Sequence, residues 1–228
     1  MASLPPELIG RIVAPLCASD ERTTLRSCSL VHSSWTHESQ RLLFRVVEAA
    51  FEDLEDDCSW FRLLRLLEWS PHIRTFLHHL TLHVHHSTPT SNGLSETFRL
   101  GYFLHITSLT YRSSSPSGWV CEAAVLSSIP SLVTLEFVDV KQVHPSPRDS
   151  ESLGSLQRFT VRGFTGKDAL EWIHATRCVE TLQDLQIQAL VGTADIMVAL
   201  DLASRMEHLQ RLALNLDDWR EGVNRSSG

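Results

Sequence analysis

The stretch FLHHLTLHVHHS, from Phe76 to Ser87, gathers five of the chain's 12 histidines into nine positions. Histidine is the commonest side-chain metal ligand and titrates nearest neutral pH, so the cluster raises metal binding or proton transfer. Spacing limits both. In an extended strand at about 3.3 Å per residue, His79 and His83 lie about 13 Å apart, too far for one zinc ion with bonds of about 2 Å. Only His83 and His85 can chelate together, and zinc then needs further ligands. The nearest source is the acidic run EDLEDD, Glu52 to Asp57, which lacks the alternating ligands and glycine of an EF-hand loop and reads as a solvated linker. A metal-dependent enzyme using the His83/His85 region is thus a remote alternative, and the expectation is a chain with no catalytic residues, metal or cofactor.

Other reactive patterns are missing from the sequence. There is no G-x-G-x-x-G, no G-x-x-x-x-G-K-[ST], no G-x-S-x-G and no H-E-x-x-H; HESQR at His37 fails the last. Gly163 and Gly166 are too few for a phosphate loop. Asn224 opens an N-R-S sequon, which matters only in a secreted chain. The five cysteines, Cys17, Cys28, Cys58, Cys121 and Cys178, are odd in number and form no C-x-x-C, so they read as reduced thiols of a cytoplasmic or nuclear protein.

The 228 residues are 43% hydrophobic and 21% charged, enough for a sizeable core, and the net charge of −7 disfavours nucleic-acid binding. MASLPPELIG has no signal-peptide pattern, and no apolar run is long enough to span a membrane.

What must position the histidines is a repeated element. The pattern apolar-x-x-apolar-x-apolar occurs as LHHLTL from Leu77, ITSLTY from Ile106, LVTLEF from Leu132, LQRFTV from Leu156, LQDLQI from Leu182 and LQRLAL from Leu209. The starts are 29, 26, 24, 26 and 27 residues apart, inside the interval of leucine-rich repeats. Each unit predicts a short strand and a return segment. GWVCEAAVLSSI, TGKDALEWIHAT and TADIMVALDLASRM have helical apolar spacing, and HSTPTSNG, RSSSPSG and HPSPRDSES read as loops. The Asn or Cys ladder of a regular repeat is absent, because the corresponding positions hold His85, Ser114, Val140, Phe164, Leu190 and Asp217.

Alternation along these strands sends the motif's apolar residues inward and the intervening ones to a concave face. The first concave column is His79, Ser108, Thr134, Arg158, Asp184 and Arg211. The second is Thr81, Thr110, Glu136, Thr160, Gln186 and Ala213, and the third is His83, Arg112, Val138, Arg162, Gln188 and Asn215. Arg112, Arg158 and Arg162 form a candidate basic patch for an acidic or phosphorylated segment. His85 follows His83 in phase, His78 falls on an outer or turn position, and His86 enters the loop.

Ahead of the repeats, residues 1–48 read as three short helices. Leu8, Ile9, Ile12, Val13 and Leu16 share one face after Pro5 and Pro6, and Pro15 ends or kinks the first helix. Ser19 is a candidate N-cap for the second, and Trp35, Leu42, Leu43 and Phe44 mark the third. Residues 49–71 hold the acidic run and then WFRLLRLLEWS, a helix so apolar that it should be buried.

LPPELIGRIVAPL…LRSCSLVHSSWTHESQRLLFRVV, residues 4–47, resembles the F-box motif. The matching pieces are Leu4-Pro5 with Glu7-Leu8, then Ile12 and Leu16, then Leu30-Val31 with Trp35, then Leu43-Phe44. With SPHIRTFLHHLTL opening the repeats, the whole chain resembles the F-box proteins of mushroom-forming fungi (basidiomycete type). It departs from them in His32 for a frequent Cys, in LLFRVV for a terminal Leu-Trp, and in Pro15.

The resemblance implies an α/β chain in three parts. These are an F-box module (1–48), an acidic linker with a connector or cap helix (49–71), and an irregular leucine-rich-repeat-like solenoid with a parallel sheet (72–228). The last has about six repeats and ends on NRSSG without a polar capping repeat, as in a truncated or short member. The implied function is a substrate-recognition adaptor of an SCF-type (Skp–cullin–F-box) ubiquitin ligase. Leu4, Pro5, Glu7, Leu8, Ile9, Ile12, Leu16, Val31, Trp35 and Phe44 would meet a Skp-type adaptor and through it cullin, with Leu25, Cys28 and Leu42 internal. His79, His83, Arg112, Glu136, Arg158, Arg162, Asp184, Gln186 and Arg211 would face an unknown protein target. Neither nucleic acid nor membrane is an expected partner. The alternative is an F-box-like interaction scaffold outside any ligase.

Overall fold

A computed structural model gives the fold of the chain. It describes residues 8, 9, 11, 12, 22–31, 33–52, 58–85, 98, 101–113, 120–122, 126, 129–140, 142–144, 154–162, 173, 177–188 and 193–214. Over these the chain is α/β. The helices are α1 (Arg22–Val31), α2 (Ser33–Leu43), α3 (Ser59–Trp69) and α4 (Thr193–Ser204). Seven strands make one parallel sheet: β1 (Val46–Glu52), β2 (His79–His85), β3 (Ser108–Ser113), β5 (Thr134–Val138), β7 (Arg158–Arg162), β8 (Asp184–Ile187) and β9 (Arg211–Leu214). They lie side by side in chain order. The short β4 (Val120–Glu122) and β6 (Gln142–His144) pair separately, also in parallel.

All six motif segments form strands of the large sheet, in the register that their spacing predicts. His79 pairs with Ser108, then Thr134, Arg158, Asp184 and Arg211 follow in one row. Alternation decides the buried side. Leu80, Leu82 and Val84 of β2 are buried while His79, Thr81 and His83 are half-buried, and β5 repeats the pattern with Leu135 and Phe137 inward. A repeated backbone contact fixes the step between strands. One carbonyl accepts from two successive N–H groups of the next strand: Arg45 from His78 and His79, His78 from Thr107 and Ser108, Thr107 from Val133 and Thr134. The same arrangement continues through Val133, Gln157 and Gln183.

Hydroxyl side chains tie successive turns where the sequence offered no Asn or Cys ladder. Ser131 Oγ lies 2.6 Å from the Leu104 carbonyl and 2.7 Å from that of Ile106. Ser155 Oγ lies 2.9 Å from the carbonyls of both Pro130 and Leu132, and the Thr181 hydroxyl donates to Leu156 at 2.8 Å. Each stands one residue before a motif leucine, so the ladder runs along the entry to the strands. A net hydrogen bond contributes about 1 kcal/mol, so Ser155→Ala should lower the urea midpoint by that amount of stability with m unchanged. Ser204→Ala, which removes only an exposed bond within α4 to the Asp201 carbonyl, should stay within about 0.5 kcal/mol of wild type.

Three features differ from the sequence reading. Residues 46–48 were expected to be helical, but β1 runs across the boundary drawn at residue 48 and pairs in parallel with β2 from Val46↔His79 to Glu52↔His85. Val46 and Val47 are β-branched, and Ala49 and Phe51 bury themselves at strand spacing. In the return segment GWVCEAAVLSSI, expected to be helical, Val120–Glu122 is a strand whose partner, Gln142–His144, ends on the first residue of the segment read as a loop. β-Sheet pairing with Gln142–His144 there overrides helical spacing. The predicted α4 does form, and Leu126 and Ile173 are helical and buried in the other two return segments. Third, α3 buries Trp60, Leu63, Leu64 and Leu67, but Trp69 at its end is 80% exposed, because one helical face alone meets the sheet.

The main core lies under the sheet. Trp60 stacks on Phe98 and Phe103 at ring distances of 5.0 and 5.3 Å, fastening α3 to the turn before β3. A second, small cluster holds Ile9, Leu25 and Leu42, with Trp35 and Leu43 packed against it. Among the described residues no helix is long and apolar enough to cross a membrane.

Candidate functional site

Two surfaces carry the residues selected from the sequence. The first is the polar face of the sheet, whose three columns emerge as spacing predicts, extended by Glu48 and Ala50 of β1. Gln188 lies just past β8 and is exposed, whereas Asn215 lies outside the described residues. Charge is unevenly spread. The β1 end carries Glu48 and Glu52, whereas from β3 to β9 Arg112, Arg158, Arg162 and Arg211 outnumber Glu136 and Asp184.

The basic patch is more neutralised than the sequence suggested. Arg162 Nε sits 2.9 Å from Glu136 Oε1, and the Thr110 hydroxyl donates to the other oxygen of that carboxylate at 3.3 Å. Arg158 Nε donates to Asp184 Oδ2 at 3.1 Å, and Arg211 holds the same carboxylate from the other side, with Nε 2.9 Å from Oδ1. Gln186 adds a bond to Asp184 Oδ1 at 3.3 Å. Of the three arginines named for the patch, Arg112 alone has no ion pair among the described residues. The physical reason is register: charges one repeat apart become neighbours about 4.8 Å apart on adjacent strands. Asp184 is 8% exposed. Burial pushes its carboxyl up, but the hydrogen bonds from Arg211 and Gln186 and the charges of Arg211 and Arg158 prevail and hold it below the usual aspartate value.

The histidines divide as their phase requires. His83 Nε2 meets the Glu48 carboxylate of β1, and His85 is exposed at the end of β2. His78, half-buried before the strand, places Nδ1 3.2 Å from the His105 carbonyl. His86 lies outside the described residues, as do residues 53–57 of the acidic run. No three His, Cys, Asp or Glu side chains among the described residues are grouped to hold a metal ion. His79 is held below the usual histidine value by burial first and then by the charges of Arg45 and His78. A depressed histidine makes the folded state prefer the neutral ring. Its contribution is full above the unfolded value of about 6.5 and is lost as pH falls from there through the lower folded value. His79→Asn should therefore flatten the fall in urea midpoint below about pH 6.5. An unchanged slope would assign that fall to other groups.

The second surface is the helical N-terminal part. Residues 8, 9, 11 and 12 are helical. Leu8 and Ile12 are 45% and 50% exposed, and Leu30 on α1 is 87% exposed. Ile9, assigned with them to a partner surface, is instead fully buried against Leu25 and Leu42, because one side of a helical stripe must close the small cluster. Trp35 is half-buried on that cluster, and Phe44 packs on the main core at the entry to β1, so neither is freely presented. Val31 ends α1, and Leu4, Pro5, Glu7 and Leu16 lie outside the described residues, with Pro15 and Ser19. Leu25 and Leu42 are internal as expected, and Cys28 is half-buried. Cys28, Cys58 and Cys178 form no disulfide among the described residues.

Three features escaped the sequence reading: the Ser131/Ser155/Thr181 ladder, Glu48 as the partner of His83, and Leu30 as the most exposed large apolar side chain among the described residues. The first had a signal, the recurrence of Ser-Leu or Thr-Leu at the start of the motif. Neither any family model nor any curated protein matches the chain.

Proposed function

We propose that the chain is a non-catalytic F-box adaptor of an SCF-type ubiquitin ligase. Its helical N-terminal module docks on a Skp-type adaptor. Its strand units form a leucine-rich-repeat-like solenoid whose polar face recruits a protein target. The observation that carries this reading is the uncovered apolar set Leu8, Ile12 and Leu30 on a helical cluster separate from the main core. Together with the order of the motif pieces from Leu4 to Phe44, it suits a module that completes its burial on a partner. The activity would be proximity: the adaptor holds a target near the ligase and forms no bond itself.

The test is affinity purification with mass spectrometry, comparing wild type with Leu8→Asp/Ile12→Asp and with Leu4→Ala/Pro5→Ala. Wild type should recover a Skp-type protein with cullin. Losing two half-exposed apolar contacts should weaken capture by at least about tenfold, at 1.4 kcal/mol per decade. Recovery of no Skp-type protein by wild type overturns the reading. Recovery of Skp without cullin favours the scaffold role outside a ligase.

A further inference from the structure

We infer that the groove at the β7–β8–β9 end of the polar face binds an acidic peptide segment that crosses the strands with carboxylate side chains three residues apart. This names the partner chemistry of the target-binding face and rests on that part of the proposed function. The groove encloses about 450 Å³ and is walled by Gln157, Gln183 and Gln210 with Arg158, Asp184 and Arg211.

The site is built around one carboxylate. Asp184, almost fully buried, accepts from both guanidiniums and so fixes them on either side of itself. Arg211 uses Nε and Nη2, and Arg158 uses Nε. The remaining guanidinium N–H groups make no hydrogen bond or ion pair among the described residues, and the two side chains stay 56% and 60% exposed. Two long side chains are thereby ordered before any ligand arrives, which lowers the entropy lost on binding, and their free donors suit carboxylates. Glutamine amides donate and accept, as a peptide backbone requires. The surrounding face is cationic although the whole chain carries −7, so charge attracts an acidic partner here rather than elsewhere.

Spacing supplies the specificity. β7 and β9 are two strand steps apart, about 10 Å, which a peptide in the polyproline II conformation covers in one turn of three residues at about 3.1 Å each, with i and i+3 on the same side. Carboxylates at i and i+3 then meet Arg158 and Arg211, while the residues between them pass Asp184, where a third acidic side chain is repelled.

The test is fluorescence anisotropy of the purified full chain with a labelled Ser-rich peptide carrying two Asp three positions apart. The Asn version should bind at least about tenfold more weakly, from the loss of charge-assisted bonds. Gln157→Glu, at an exposed wall position outside the Asp184 bonds, should weaken the Asp peptide similarly with an unchanged melting temperature. Inorganic phosphate should compete no better than chloride of equal ionic strength. Equal binding of the Asn peptide, an unaffected Gln157→Glu, or displacement by phosphate would each overturn the inference, the last by making this a free-anion site. Leu8→Asp/Ile12→Asp should bind the peptide as wild type does. Peptide failure with intact adaptor capture therefore sinks the groove alone, and the reverse sinks the adaptor reading alone.

Discussion

Phe137→Ala is expected to lower the unfolding free energy by about 4 kcal/mol, the largest effect of any single truncation proposed here. Phe137 lies on β5, the middle strand of the seven, and is fully buried. Its ring meets Tyr111 of β3 at 6.2 Å and Phe159 of β7 at 5.5 Å, both edge to face. The aromatic contacts thus bridge three strands, and removing the central ring leaves its neighbours facing a void. The cost combines lost transfer energy with a cavity that a sheet pinned on both sides cannot close. Phe137→Leu, which keeps most of the volume, should cost about 1.5 kcal/mol or less. Arg112→Ala on the opposite face, exposed and without an ion pair among the described residues, should stay within about 0.5 kcal/mol. Urea unfolding at neutral pH measures all three. A Phe137→Ala loss below about 1 kcal/mol would mean that the inner face relaxes freely.

The rows of the sheet were legible because the motif recurs at 24 to 29 residues and strand alternation leaves no freedom about which side each residue takes. The spacing alone puts His79, Arg158, Asp184 and Arg211 in one row, and register pairs the strands as predicted. What escaped was the next step. Asp184 between Arg158 and Arg211 is an ion triplet as soon as the row is read across strands rather than along them. β1 was hidden for a different reason. VVEAAFE lacks the motif leucines and borders an acidic run, so only pairing with β2 reveals it as a strand. Ile9 shows the limit of helical spacing. Leu8, Ile9 and Ile12 are equivalent in an apolar stripe, and only the position of Leu25 and Leu42 decides which one closes the cluster.

Asp184→Asn should destabilise the chain by about 2 kcal/mol at neutral pH, the second large effect. Fully buried ion pairs lose 3–5 kcal/mol when broken, roughly, but here both arginines reach solvent, which screens part of the attraction. The sign with pH follows from the depressed carboxyl. Burial opposes ionisation, but Arg211, Gln186 and Arg158 favour it more, so the folded state binds the Asp184 proton less readily than the unfolded chain. The stabilisation is present above the unfolded value of about 3.9 and is lost as pH falls through the lower folded value. The gap in urea midpoint between wild type and Asp184→Asn should hold from about pH 7 to 5 and close toward pH 2; a constant gap would mean that packing, not charge, is lost. Removing the guanidiniums instead inverts the logic. In Arg158→Gln/Arg211→Gln the carboxylate keeps Gln186 and its burial but loses both positive charges. Desolvation then dominates and the folded carboxyl rises above its unfolded value. Stability is then full at low pH and lost as pH rises through the folded value, the reverse of wild type. One buried carboxylate can therefore strengthen or weaken the β7–β9 end of the sheet, and the two arginines decide which.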